Sequence, residues 1–210
     1  MTDADRDSAR ARAPIVVLAS GAGSLLQAII DRAAAPDAAY RVAGVVVDRS
    51  CRAADIAAAA KIPVTHCALR DYHDRSEWDA ALTTATAACS PEWVVTAGFM
   101  KLVGPAFLGR FAGRTVNSHP ALLPAFPGAH GVADALAYGA KITGTTIHLV
   151  DDGVDTGPIL AQRVVDIAAD DTEATLHERI KVVERSLLTE VVDALAARGV
   201  VIDGRKAHLK

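Results

Sequence analysis

Aromatic residues make up only 4% of this 210-residue sequence. Its core must therefore be filled by Ala, Val, Leu and Ile, and its helices must pack through small side chains. Cysteine is as sparse. Cys51, Cys67 and Cys89 are odd in number, widely spaced and free of any CxxC pair. That argues against a disulfide framework or a structural zinc site and leaves them as small apolar residues. Positive charge is not in excess, since 22 Lys and Arg face 25 Asp and Glu for a formal net charge of −3. Proteins that grip long nucleic acid carry a basic stripe, because phosphate neutralisation drives that affinity, so no nucleic-acid partner is expected. A small phosphorylated ligand needs only one local site and stays open. No apolar run reaches the roughly 20 residues that span a bilayer. Residues 1–13, with Asp3, Asp5, Arg6, Asp7, Arg10 and Arg12, lack the apolar stretch of a secretory signal. The expectation is a flexible tail over 1–13, a single domain over 14–210, and a soluble cytoplasmic protein without a membrane partner. Internal repeats, low-complexity segments and interdomain linkers are also missing.

Apolar residues reach 51% and charged residues 22%, enough to build a real core. The apolar run at 15–19 meets a glycine-rich turn, Ser20 to Ser24, and a helical pattern follows over 25–35. Strands are expected at 41–47, 64–68 and 93–97, with helices at 53–61 and 76–89 between them. Such alternation predicts an α/β fold with a mostly parallel sheet and helices on both faces. Beyond Phe99 the pattern changes. A short helix at 105–111 and a strand at 115–119 precede a proline-rich loop, 120–127. A helix at 132–138 and two strands at 145–150 and 159–165, around an acidic loop, predict a mixed or antiparallel half. A long amphipathic helix over 172–198 carries Leu176, Ile180, Val183, Leu187 and Val191 on one stripe, Gly199 ends it, and a short strand is expected at 200–202.

Two places carry candidate chemistry. Gly21, Gly23 and Ser24 sit where the first strand hands over to its helix, and free N–H groups and the helix dipole there favour an anion. A tight turn that binds nothing is the equal alternative. The Gly-Lys-Ser/Thr ending of a nucleotide loop is missing, and Leu26 stands where a dinucleotide fingerprint has its third glycine, so one monophosphate fits best. The second place is Asn117 and His119, two apart on a strand and so facing the same way, just before Pro120. Asp155, in the loop from Asp151 to Pro158, can fold back to the same strand ends. An amide donor, an imidazole and a carboxylate suit acyl transfer: the amide stabilises an oxyanion, the imidazole relays a proton, and the carboxylate orients the imidazole. Read one by one, the three residues are also an ordinary loop cap, a hydrogen-bonded histidine and a turn former.

Asn117 to Pro124, followed by Phe126-Pro-Gly128 and His130, resembles the signature of the folate-dependent formyltransferases. Gly144 to His148 and Asp155 to Ile159 resemble that family's downstream motifs. The likeness runs in order from about Ile15 to Leu195. It implies a Rossmann-like formyltransferase fold, 10-formyltetrahydrofolate as co-substrate, no metal, and a monomer or homodimer acting on small molecules. The glycine turn and the single-domain length resemble the branch that formylates the amine of glycinamide ribonucleotide in purine synthesis, not the branch acting on methionyl-tRNA. By this resemblance Asn117, His119 and Asp155 are catalytic. Gly23, Ser24 and Leu25 hold the ribonucleotide phosphate, with Lys181 and Glu184 meeting phosphate and ribose. Arg75, Met100, Lys101, Leu102 and Val103 line the folate side, and Asp151, Asp152, Gly153 and Val154 fold over the pterin. Leu25 stands where many members have Asn, and Lys101 replaces a common Arg. A hydrolase releasing formate from the same folate, a sugar-nucleotide formyltransferase and a non-catalytic sensor are the rival readings.

Overall fold

The structure, a computed structural model, describes residues 11–210. Its centre is a strand buried on both faces. In β1 (Ala13–Ala19), Ile15, Val17 and Ala19 enter one apolar cluster while Val16 and Leu18 enter another. Period-two alternation of branched residues thus feeds two cores, one on each side of the sheet. The first cluster takes Leu25, Leu26 and Ile29 of α1 (Ser24–Ala33), Ala53 and Ala57 of α2 (Arg52–Ala59), and Leu188, Val192 and Leu195 of α6 (Glu173–Arg198). The second takes Trp78 and Leu82 of α3 (Arg75–Ala87) with Phe107 and Phe111 of α4 (Pro105–Phe111). The scarce aromatics are concentrated on that face, which α3 and α4 cover.

One nine-stranded sheet joins the described residues in the order β3-β2-β1-β4-β5-β6-β7-β9-β8. Here β2 is Tyr40–Val47, β3 Val64–His66, β4 Trp93–Thr96 and β5 Thr115–His119, all parallel to β1. The strand order reverses between β1 and β4, so a crevice opens beyond their carboxyl ends. The long strands β6 (Ile142–Leu149) and β7 (Ile159–Asp166) then add antiparallel, as the sequence predicts. Between β5 and β6 the chain passes through α5 (Gly131–Tyr138).

The tail expected over 1–13 falls mostly outside the described residues; within them, Arg12 donates to the carbonyls of Ala33, Ala35 and Pro36 at 2.9, 2.9 and 3.0 Å, and Ala13 belongs to β1. One expectation is corrected. A lone strand at 200–202 is expected, yet β8 (Val200–Asp203) turns back into β9 (Lys206–Leu209), and β9 docks parallel on β7. Its period-two pattern, Lys206-Ala-His-Leu209, is only four residues long, too short to stand out.

Candidate active site

Strand β5 brings Asn117 and His119 to its carboxyl end, and register pairs Asn117 with His148 of β6. The loop between β6 and β7 returns Asp155 to them in the left-handed region, φ 54°, which Asp tolerates better than most residues. Oδ2 of Asp155 accepts from the N–H of Gly128 at 2.8 Å and lies 3.3 Å from Nδ1 of His119. Oδ1 lies 3.4 Å from Nδ2 of Asn117 and 3.5 Å from Nε2 of His148. The outer nitrogens of both rings face backbone carbonyls: His119 Nε2 meets Phe126 O at 2.8 Å and His148 Nδ1 meets Leu149 O at 2.9 Å. A carbonyl only accepts, so those two nitrogens carry protons. The inner nitrogens then face the carboxylate, and with both protonated each meets an acceptor. Nε2 of His148 also lies 3.2 Å from Nδ2 of Asn117. As a lone pair it accepts from the amide, and as an N–H it donates to Asp155. Burial pushes the Asp155 carboxyl up, but the bond from His148, the Gly128 N–H and the nearby His119 outweigh it and hold the carboxyl below its usual range. Asn117 is fixed from behind by Thr96, whose hydroxyl donates to Asn117 Oδ1.

Alternation turns Ser118 to the opposite side from Asn117 and His119, where its hydroxyl donates to Oε1 of Glu184 on α6. Glu184 is buried, and that burial raises its carboxyl above the ordinary value. Lys181, one turn earlier, pairs instead with Glu178 at 2.8 Å. The glycine turn lies beside α6, where Ser24 and Arg185 line one cavity. Gly23 caps α1 at φ 76° with no side-chain cap, so the first N–H groups of Ser24 and Leu25 have no partner within the helix. The Leu25 side chain is buried, which leaves only its backbone to meet a ligand. A cavity of about 680 Å³ lined by Ser24, Arg52 and Arg185 flanks the turn, and none of Asn117, His119 or Asp155 lines it.

The segment after β4 starts next to Asn117, since Thr96, the last residue of β4, pairs with Asn117 in register. Met100 and Leu102 point to solvent, while Val103 packs on the aromatic core. Lys101 turns inward, 3.8 Å from the buried Asp48, and Arg75 donates to Leu102 O at 2.5 Å. In the acidic loop, Asp151 Oδ1 accepts from the N–H of Gly153 and the hydroxyl of Thr156 at 3.1 and 2.7 Å, so it organises the loop. Asp152 and Gly153 are exposed and Val154 is 45% exposed. The structure thus joins Asn117, His119 and Asp155 in direct contact, while Ser118 bonds Glu184 on the opposite side of β5. It ties Arg75 and 100–103 into a neighbouring group, which among the described residues has no hydrogen bond or ion pair to the three. His148, Thr96, Ser118, Asp48 and Asp79 are additions; Ser118 and His148 lie within the family motifs and the other three do not. Their signal is strand register or helix placement, which no one-dimensional pattern contains.

Residues 13–192 match the family described as formyl transferase. A phosphoribosylglycinamide formyltransferase of Mycobacterium tuberculosis is 61% identical over 199 residues, covering 95% of this chain and 92% of the relative. The human trifunctional purine biosynthetic protein adenosine-3 is 35% identical over 187 residues, 89% of this chain and 18% of that protein. The crystal structure of glycinamide ribonucleotide transformylase 1 from Symbiobacterium toebii superposes with a TM-score of 0.92 at 37% identity and covers 94% of each chain.

Proposed function

The chain belongs to the formyl transferase family, and on that premise we propose that it transfers the formyl group of 10-formyltetrahydrofolate to the amine of glycinamide ribonucleotide, a step of purine biosynthesis. The observation that carries this reading is the carboxylate of Asp155 held between two imidazoles and beside an amide, at the carboxyl end of β5.

In this reading the amine nitrogen attacks the formyl carbon and the carbonyl electrons move onto oxygen. One N–H of Asn117 turns to that oxyanion, which it can do because its contact to Asp155 is long. Asp155 receives the proton that the attacking amine loses. The carbon–N10 bond then breaks, N10 gains a proton, and tetrahydrofolate leaves with no net redox change. Both ring nitrogens of His119 meet protein atoms, so His119 acts on the departing nitrogen through Asp155. His148 offers a second place to hold the proton. Ser24 and Leu25 N–H groups with Lys181 take the phosphate, and Glu184 takes the ribose. Exposed Met100, Leu102 and Val154 suit the flat faces of the folate.

Turnover of 10-formyltetrahydrofolate with and without glycinamide ribonucleotide tests this on the wild type and on Asp155→Asn. Tetrahydrofolate should form only with the ribonucleotide present. The variant should lose about 10²- to 10⁴-fold in kcat, the range of general acid–base catalysis. Equal formate release without the amine would make the chain a hydrolase instead.

A further inference from the structure

Two large apolar side chains, Met100 at 68% and Leu102 at 58% exposure, stand out into solvent on a segment whose backbone is held at three points, the Met100 N–H, the Leu102 carbonyl and the Gly104 N–H. A loop free to move would fold such residues inward. From the glycine-turn side, the Met100 N–H donates to Ser20 Oγ at 2.9 Å, Ser20 bonds the fully buried carboxylate of Asp48, and Lys101 approaches the same carboxylate. From α3, Arg75 holds Leu102 O, and Asp79 accepts from the N–H groups of Gly104, Ala106 and Phe107 at 2.7, 2.8 and 3.4 Å. Asp79 is itself 3% exposed. A carboxylate only accepts, so its two oxygens can serve three donors, whereas an amide would turn an NH₂ towards one of them. Gly104 is shaped to this contact: an added Cβ would lie 2.6 Å from Asp79 Oδ2. Arg75 and Asp79 are one helical turn apart, and Trp78 between them stacks on Phe99 with centroids 6.4 Å apart.

We propose that Asp79, with Asp48 at the opposite end, is a positioning residue that holds 99–104 in a preformed shape, so that Met100 and Leu102 present an apolar wall to the folate. This rests on the reading that the segment faces folate. The anchors remove conformational freedom before the ligand arrives, so binding does not have to supply that ordering. Neither carboxylate touches the substrate.

The test compares wild type with Asp79→Asn, Gly104→Ala and Ser20→Ala in three measurements. Amide exchange of the full chain should quicken at Met100, Gly104 and Ala106 and stay unchanged elsewhere. Tetrahydrofolate binding, read by calorimetry, should weaken about tenfold, as expected when a charged hydrogen bond that orders the site is lost. Steady-state kinetics should show the KM for 10-formyltetrahydrofolate raised by a similar factor, with kcat and the KM for glycinamide ribonucleotide within about twofold of wild type. Asp79→Asn combined with Gly104→Ala should be no worse than the worse single variant, since both break one contact. Quickened exchange throughout the chain, or a lower kcat with both KM values unmoved, would reduce the anchors to fold stability and overturn the proposal. Local loosening with unchanged folate binding would overturn it too. A wild type that binds tetrahydrofolate but transfers no formyl group defeats the functional reading alone, because calorimetry still decides the anchors.

Discussion

At the residue scale, two carboxylates on either side of β5 are pushed in opposite directions. Glu184 is buried, with Ser118 as its hydrogen-bond partner, and its carboxyl is raised. For such a group the stabilising contribution is full below the ordinary carboxylate range and is lost as pH rises through the raised value. Glu184→Gln keeps the shape and removes the charge. Calorimetric melts should show the variant matching wild type near about pH 4 and gaining on it towards about pH 7. A variant that melts lower at neutral pH would mean that the ionised form is the stabilising one. Asp155 has the other sign. Its carboxyl is held low, so its contribution is present above the ordinary range and lost as pH falls below it. One environment favours a neutral carboxyl and the other a charged one.

At the element scale, the glycine turn shows how the proposed phosphate site and a packing feature coincide. Gly23 lies at φ 76°, and a Cβ there would come within 2.8 Å of Ile56 Cδ1 and 2.9 Å of Ala53 Cα. Its lack of a side chain lets α1 start against α2 while leaving the first N–H groups open. Gly23→Ala should therefore cost about 1–3 kcal/mol of stability in urea melts, from backbone strain and overpacking, as well as raise the KM for the ribonucleotide. A raised KM with unchanged stability would show that α2 yields easily and that the turn serves the ligand alone. Helix α6 is legible from its ends: Thr172 caps it reciprocally with Thr175, and Gly199 stops it. What its sequence hides is the direction of Glu184. Its i, i+3 spacing from Lys181 reads as a surface pair, but Lys181 bonds Glu178 and Glu184 turns to Ser118.

At the scale of the whole molecule, the last twelve residues reach back to the loop that carries Asp155. The hairpin β8–β9 meets β7 through the pairing of Ile159 with Lys206, and Arg205 at its tip donates to Thr156 O at 2.9 Å. Thr156 follows Asp155 directly, so a distant hairpin braces the loop that carries the carboxylate. Arg205→Ala should lower kcat about three- to fivefold, in line with one exposed hydrogen bond worth about 1 kcal/mol, while the melting temperature hardly changes. An unchanged kcat would show that the Asp151 and Gly128 contacts hold the loop without help. Among the described residues no helix is long and apolar enough to cross a membrane.

The sequence by itself determined the alternation of strands and helices, the change to a mixed sheet after Phe99, the glycine turn, and the spacing that sets Asn117 and His119 on one face. These are local properties, fixed by period and by the chemistry of neighbouring residues. Family motifs extended that reading to Asp155. Only the tertiary structure decided that His148 stands opposite Asn117, that Asp48 and Asp79 clamp one segment from two sides, and that a C-terminal hairpin reaches the acidic loop. Each of these depends on strand register or on helix placement between residues far apart in the chain. Such contacts are selected by packing of the whole core, which local periodicity does not encode.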